Sequence, residues 1–285
     1  MSSCFSLLLQ AVLATGVSSK MDSPDEVVDA LKQAKEVAVA GKFDEAELIA
    51  SKVIREHPKD PRPQVFLGNL FDVRGKHDDA IAAYTRAIAI DAKSAEAYDL
   101  RGSAQFKRGK FKESVADFDH YLELRPLEAP GHWRRGISLY YAGKYAEGRD
   151  QFKKYEIVDT NDVENAIWNF LCAAKVDGVA KARAAMLKIG KDKRVPMMEV
   201  YELYQGKLKP EDVLAAVEAG EASDGERKLR RFYAHLYLGL YYDATGDAKK
   251  AAEHMNLAGG PYRSPQYMGE VARVHMDLLA AQAGK

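Results

Sequence analysis

Few residues of this sequence combine the type and the spacing that chemistry needs. His254, Met255, Met268, His275 and Met276 gather toward the C-terminal end, and imidazole with thioether is a donor set for copper or zinc. The same residues recur at helical core spacing, where methionine fills irregular gaps. The pattern therefore reads as packing, and no metal or other cofactor is expected. His235 and His77 also fall on core positions. Lys188 to Arg194 reads KIGKDKR, four cations in seven residues, which could attract a phosphate or an acidic partner. In a chain of balanced charge the loop reads as solvated. Of the two cysteines, Cys4 and Cys172, only the second remains if a leader is removed. That leaves no intramolecular disulfide, and a single cysteine among apolar helix neighbours reads as a small buried hydrophobe. The chain contains no GxSxG, no HExxH, no phosphate-binding GxxxxGK and no paired-cysteine metal site. No two carboxylates are marked out for acid and base roles.

Charge narrows the partner class. The 285 residues carry 42 basic and 42 acidic side chains, so the concentrated positive face that phosphate neutralisation requires is missing and no nucleic-acid partner is expected. The expected partner is another protein or a peptide segment.

The elements that must position any site come from a repeat. In AEAYDLRGSAQFKRGKFKESVADFDHYLELRP, residues 95 to 126, Tyr98, Gly102, Gly109, Phe111, Ser114, Phe118, Tyr121 and Pro126 have the spacing of two helices folded against each other. A shift of 34 residues carries Gly102 onto Gly68 and Gly136, and Gly109 onto Gly41, Gly75 and Gly143. Lys42, Lys76, Lys110 and Lys144 follow the turn glycines, and Ala46, Ala80, Ser114 and Gly148 supply a small residue further on. Glycine inside a helix costs about 1 kcal/mol relative to alanine, so Gly68, Gly102 and Gly136 imply close helix crossings, expected here to be small residue against small residue. The turn glycines supply the left-handed backbone that ends one helix and begins the antiparallel return.

This pattern resembles the tetratricopeptide repeat family. The resemblance implies an all-α fold, a right-handed helical solenoid of antiparallel helix pairs with one concave face, in which stacked pairs bury a continuous core. The expected organisation is a signal peptide or disordered leader over 1–20, four repeat units over 21–162, an irregular helical segment over 163–226, and a fifth unit with a capping helix over 227–285. The leader has an apolar run from Phe5 to Val17, which is export-like but too short to span a bilayer. The first helix is expected to start with Ser23 as its cap and Pro24 at its first position. In the middle, helices are expected over Asp162 to Val176 and Val179 to Ile189, then from Pro196 and from Lys209, with Glu221 to Gly225 as a linker.

GHWRRGISLYYAGKYAEGRDQF and the late unit YLGLYYDATGDAKKAAEHMNLA resemble the NlpI-type tetratricopeptide proteins of bacterial envelopes. That resemblance implies a non-enzymatic adaptor, often dimeric, that brings envelope hydrolases or proteases to their targets. Cys4 precedes the apolar run rather than following it, a departure from the lipoprotein pattern. Other readings are a cytoplasmic assembly or co-chaperone-like factor, and a small enzyme or ligand-binding module in 163–226.

Two site expectations follow. The concave face should be lined by Phe66, Asn69, Asp99, Leu100, Ser103, Phe106, Trp133, Arg134, Ile137 and Tyr140, an apolar and aromatic groove with Arg134 as its cation. The thin stripe Ala30, Ala34, Val37 and Ala38 on the first unit should be covered by a second copy in a homodimer.

Overall fold

The computed structural model of the protein describes residues 25–283, and within them every regular element is helical. The leader, Ser23 and Pro24 lie outside the described residues. The chain divides into two compact units, 1–126 and 127–285, so the fourth repeat keeps company with the irregular middle and the fifth.

The first unit is three helix pairs: α1 (Glu26–Val39) with α2 (Phe43–Glu56), α3 (Arg62–Val73) with α4 (His77–Ile90), and α5 (Ala95–Lys107) with α6 (Phe111–Leu124). Asp25 caps α1, its carboxylate accepting from the N–H groups of Val27 and Val28 at 3.2 and 3.3 Å. Each pair turns in the same way. Gly41, Gly75 and Gly109 take φ of 81°, 73° and 71°. The next N–H, from Lys42, Lys76 or Lys110, donates back to Val37, Phe71 or Gln105 at 3.1, 2.9 and 2.9 Å. This six-to-one bond satisfies a helix-end carbonyl, and the left-handed turn residue that it needs is cheapest as glycine.

The helix crossings differ from the small-on-small expectation. A Cβ on Gly102 would stand 2.9 Å from a ring carbon of Phe118, and one on Gly136 would stand 2.6 Å from the ring of Phe152. The bare glycine surface is thus a seat for the ring of the returning helix. Only the first pair is small throughout, with Ala34, Ala46 and Ala50 fully buried.

The α1 stripe is not open to water. Val27, Leu31, Ala34 and Ala38 join Ala46, Ala50, Val53, Phe66, Leu67 and Leu70 in one core, with Ala30 and Val37 half-buried against it. The chain's own α2 and α3 cover the stripe, which removes the premise of the expected homodimer.

The second unit contains α7 (Trp133–Tyr141), α8 (Tyr145–Lys154), α9 (Val163–Asp177), α10 (Val179–Ala184), α11 (Met197–Tyr204), α12 (Pro210–Glu218), α13 (Asp224–Thr245), α14 (Ala248–Gly259) and α15 (Tyr267–Ala283). Of the expected linker, Glu221, Ala222 and Ser223 lie outside helix, and Asp224 and Gly225 already belong to α13. Ser223 caps α13 in a reciprocal box with Glu226, whose carboxylate accepts from Ser223 N–H at 2.8 Å. At 22 residues α13 is the backbone of this unit. Tyr204 of α11 meets Phe170 of α9 edge-on at 5.1 Å and donates its hydroxyl to the Tyr237 carbonyl of α13 at 2.8 Å. The middle segment is therefore packed into the late repeat and is not set apart from it. Cys172 is buried, as expected, and burial holds its thiol protonated. No helix among the described residues is long and apolar enough to cross a membrane.

Candidate partner-binding site

The ten residues expected to line one groove divide between the two units and between core and surface. In the first unit Phe66, Asn69, Ser103 and Phe106 are buried, while Asp99 and Leu100 are half-buried. Leu100 packs on the Tyr84 core. Asn69 is a structural polar group whose side-chain oxygen accepts from the Tyr84 hydroxyl at 2.7 Å. The open apolar surface expected of Phe66 and Phe106 is not there, because Phe66 packs into the core of the first helix pair and Phe106 is buried, its ring 5.6 Å from Phe111 of its own pair.

Polar groups instead cross-link the first unit. Asp72 of α3 bonds His77 Nδ1 of α4 at 2.9 Å and pairs with Lys107 of α5, all three nearly buried. Burial works against the Asp72 charge, yet the lysine and the histidine together hold its carboxyl below the usual range. Arg101 forks onto Asp117 through two bonds of 2.7 Å, a bidentate geometry specific to guanidinium and carboxylate. Glu96 is pushed the other way, its carboxyl raised by burial and then by Asp99.

The second unit gathers aromatic residues around α7. Tyr140 is buried and meets Tyr141, Tyr145 and Trp168 edge-on at 5.2, 5.5 and 5.5 Å. Trp168 also stacks on Phe152, at 6.3 Å and 20°. Ile137 is buried, and Trp133 and Arg134 are half-buried. Trp133 does face a partner, and that partner belongs to the chain: Tyr267 of α15 stands edge-on to it at 5.3 Å and 83°. One further bond completes the seat. His275 Nδ1 and the Tyr141 hydroxyl are 2.9 Å apart. Burial drives the His275 pKa down to about 4 and raises the phenols of Tyr140 and Tyr141 well above their ordinary value, so all three are neutral at physiological pH. Sequence reasoning missed Tyr141, Trp168, Tyr267 and His275 as members of this face. Tyr141 stands beside Tyr140 in the fourth unit, which was a signal for it; Trp168, Tyr267 and His275 lie beyond that unit and carried none.

The basic loop is not simply solvated. Arg194 bonds Asp192 at 2.6 Å and Asp162 at 2.8 Å, pairs with Glu164, and lies over the Tyr233 ring at 5.6 Å. Tyr237 donates to the other Glu164 oxygen at 2.6 Å. Burial raises the Asp162 and Glu164 carboxyls, while Arg194 bonds hold the Asp192 carboxyl down against its own burial. The cluster staples the start of α9 to the loop before α11 and to α13. His235 and His254 bring their Nδ1 atoms to 2.8 Å between the rings of Tyr262 and Tyr242. Among the described residues no three of His, Cys, Asp and Glu converge as a metal site. What these arrangements can do chemically is pack, pair charge and hold an apolar helix.

Family models match part of the chain: residues 68–109 match one described as TPR repeat, and residues 100–162 match one described as tetratricopeptide repeat. Together the two matches span residues 68 to 162, less than half of the chain. Three solved structures carry the likeness further as a fold. A tetratricopeptide repeat protein from Parabacteroides merdae is similar over 90% of this chain and 100% of its own, at 15% identity and a TM-score of 0.54. PilW, described as a widely conserved type IV pilus biogenesis factor, is similar over 87% of this chain and 99% of its own, at 14% identity and 0.52. MamA from Desulfovibrio magneticus RS-1, from its residue 41 onward, is similar over 57% of this chain and 92% of its own, at 14% identity and 0.51. No curated protein matches the chain in sequence. The fold is accordingly an all-helical array of the α-solenoid kind.

Proposed function

We propose that this chain is a non-catalytic scaffold that binds segments of other proteins through helix faces of its tetratricopeptide repeats. Its setting is the bacterial cell envelope, where it serves as an adaptor for hydrolases or proteases in the manner of the NlpI-type proteins it resembles. One observation carries the binding reading. The Trp133 and Tyr141 face of α7 already holds a helix by ring contact and one hydrogen bond, which is how an amphipathic helix is recognised in a groove. Aromatic side chains give such a face a large contact area at low entropic cost.

The test is affinity purification from the native organism with the intact chain and with Trp133→Ala. Proteins retained by the first and lost by the second, with the melting temperature nearly kept, support the scaffold. Identical retention by both removes the α7 face from the reading, and turnover of a captured protein by the purified chain alone removes the non-catalytic assignment.

A further inference from the structure

The scaffold reading says that a helix binds on α7, and the geometry of α15 specifies which helix. Trp133 meets Tyr267 and Tyr141 meets His275. Both members of each helix are eight residues apart, so the two contacts share one register and α15 runs parallel to α7. Eight residues span about 12 Å of helix, slightly more than two turns, with Val271 and Val274 buried between the anchors. On α15 the buried side therefore carries an aromatic ring, an aliphatic residue four positions on, another at seven, and a hydrogen-bonding ring at eight, of which the two rings touch α7.

The seat is imperfectly filled by its resident. His275 Nε2 and Trp168 Nε1 are buried with no hydrogen-bond partner, and the Trp168 ring stands 6.2 Å from that of Tyr141. The resident also packs against α14, with Gly259 against Met276 and the Ala272 carbonyl, and is joined to it through residues 260–266, a short irregular segment outside either helix.

We propose that the face formed by α7 and α9 is a helix-binding site held in the resting chain by α15. It accepts in exchange an amphipathic helix of a partner protein that repeats the aromatic, aliphatic, aliphatic and imidazole or hydroxyl-ring spacing of Tyr267, Val271, Val274 and His275. This deepens the scaffold reading by naming the partner class and the competitor that the partner displaces. A partner with an acceptor aimed at Trp168 Nε1, and with its own imidazole or hydroxyl fully paired, gains over the resident helix, since a buried polar group is worth more paired than left alone.

A fluorescent peptide of residues 263–283 serves as the probe, titrated against the full chain and two full-length variants. Tyr267→Ala weakens the resident helix and leaves the seat intact, so it raises the fraction of open seats and tightens peptide binding by about tenfold. Trp133→Ala weakens the seat and loosens binding by about tenfold or more. Equal affinity for the wild-type and Tyr267→Ala chains, or no binding to either, overturns the proposal. If Trp133→Ala still costs partner capture in that case, the scaffold reading survives alone. Hydrogen exchange of the unmodified chain provides a measurement that needs no variant. The α15 amides are expected to exchange at least about tenfold faster than those of α13 through local opening, and equal protection of the two helices overturns the exchange mechanism.

Discussion

At the scale of single residues, His275 is the group whose chemistry reaches furthest. Its imidazole is neutral because burial lowers its pKa to about 4, with Asp243 pulling the other way and Lys175 adding to the depression. A free histidine begins to take up a proton near 6.5, so between those two values the unfolded chain binds a proton that the folded chain refuses. Stability from this group is complete above pH 6.5 and declines as pH falls toward 4, by a total on the order of 3 kcal/mol. Glu164, Asp162 and Glu96 have raised carboxyls and work in the opposite sense at the acid end, so the imidazole must be isolated by difference. Urea unfolding of the wild type and of His275→Gln at pH 7, 5.5 and 4.5 does this. The wild-type advantage should shrink as pH falls, and a constant difference would deny the histidine its part. His235, also lowered to about 4, contributes to the slope common to both proteins and cancels.

At the scale of helices, the same few devices recur and can be broken one at a time. Gly102 accepts the ring of Phe118, with the Ser114 carbonyl 3.2 Å from where a Cβ would stand. Because that neighbour is backbone, Gly102→Leu cannot be relieved by a rotamer change alone. Destabilisation of about 1 to 3 kcal/mol or more is expected, read as a lowered melting temperature. Unchanged melting would mean that the crossing is looser than it appears. The Arg194 staple makes a second test. Replacing it by methionine leaves Asp162, Glu164 and Asp192 facing one another. The cost expected is roughly 1 to 2 kcal/mol, below the 3 to 5 of a fully buried pair, since the guanidinium side chain keeps 40% of its exposure. Adding Glu164→Gln should return part of that loss, and strict additivity of the two would show that they do not interact. The helices and their turns were legible in the sequence because a 34-residue register repeats both the turn glycine and the ring that covers the crossing glycine. The Arg194 staple was not, since its partners Asp162 and Glu164 lie about thirty residues away and belong to no repeat.

At the scale of the whole molecule, the candidate site was only half legible for the same physical reason. Position within a repeat identifies the helix face on which Trp133, Ile137 and Tyr140 stand. Whether that face is open depends on contacts such as Tyr141 with His275, 134 residues apart, which leave no periodic trace. The boundaries drawn from register at 162 and 226 likewise miss that α9, α11 and α13 share one core through Phe170, Tyr204 and Tyr237. The division falls at Pro126 and Leu127 instead, where Leu127 is 94% exposed. A repeat array is stabilised mainly by nearest neighbours, so a fragment of residues 127–285 retains every contact of Trp168, Tyr141 and His275 described above. It is expected to be helical by circular dichroism, to unfold cooperatively, and to keep the loss of stability between pH 6.5 and 4. A fragment of residues 163–285 strips Trp168 of Phe152 and Tyr140 and His275 of Tyr141. Those are ring contacts worth about 0.5 to 1.5 kcal/mol each beyond the area they bury, and the fragment should lose its cooperative transition. The reverse result, a cooperative 163–285 and a non-cooperative 127–285, would place the structural boundary where the repeat register alone puts it and would detach α15 from the fourth repeat.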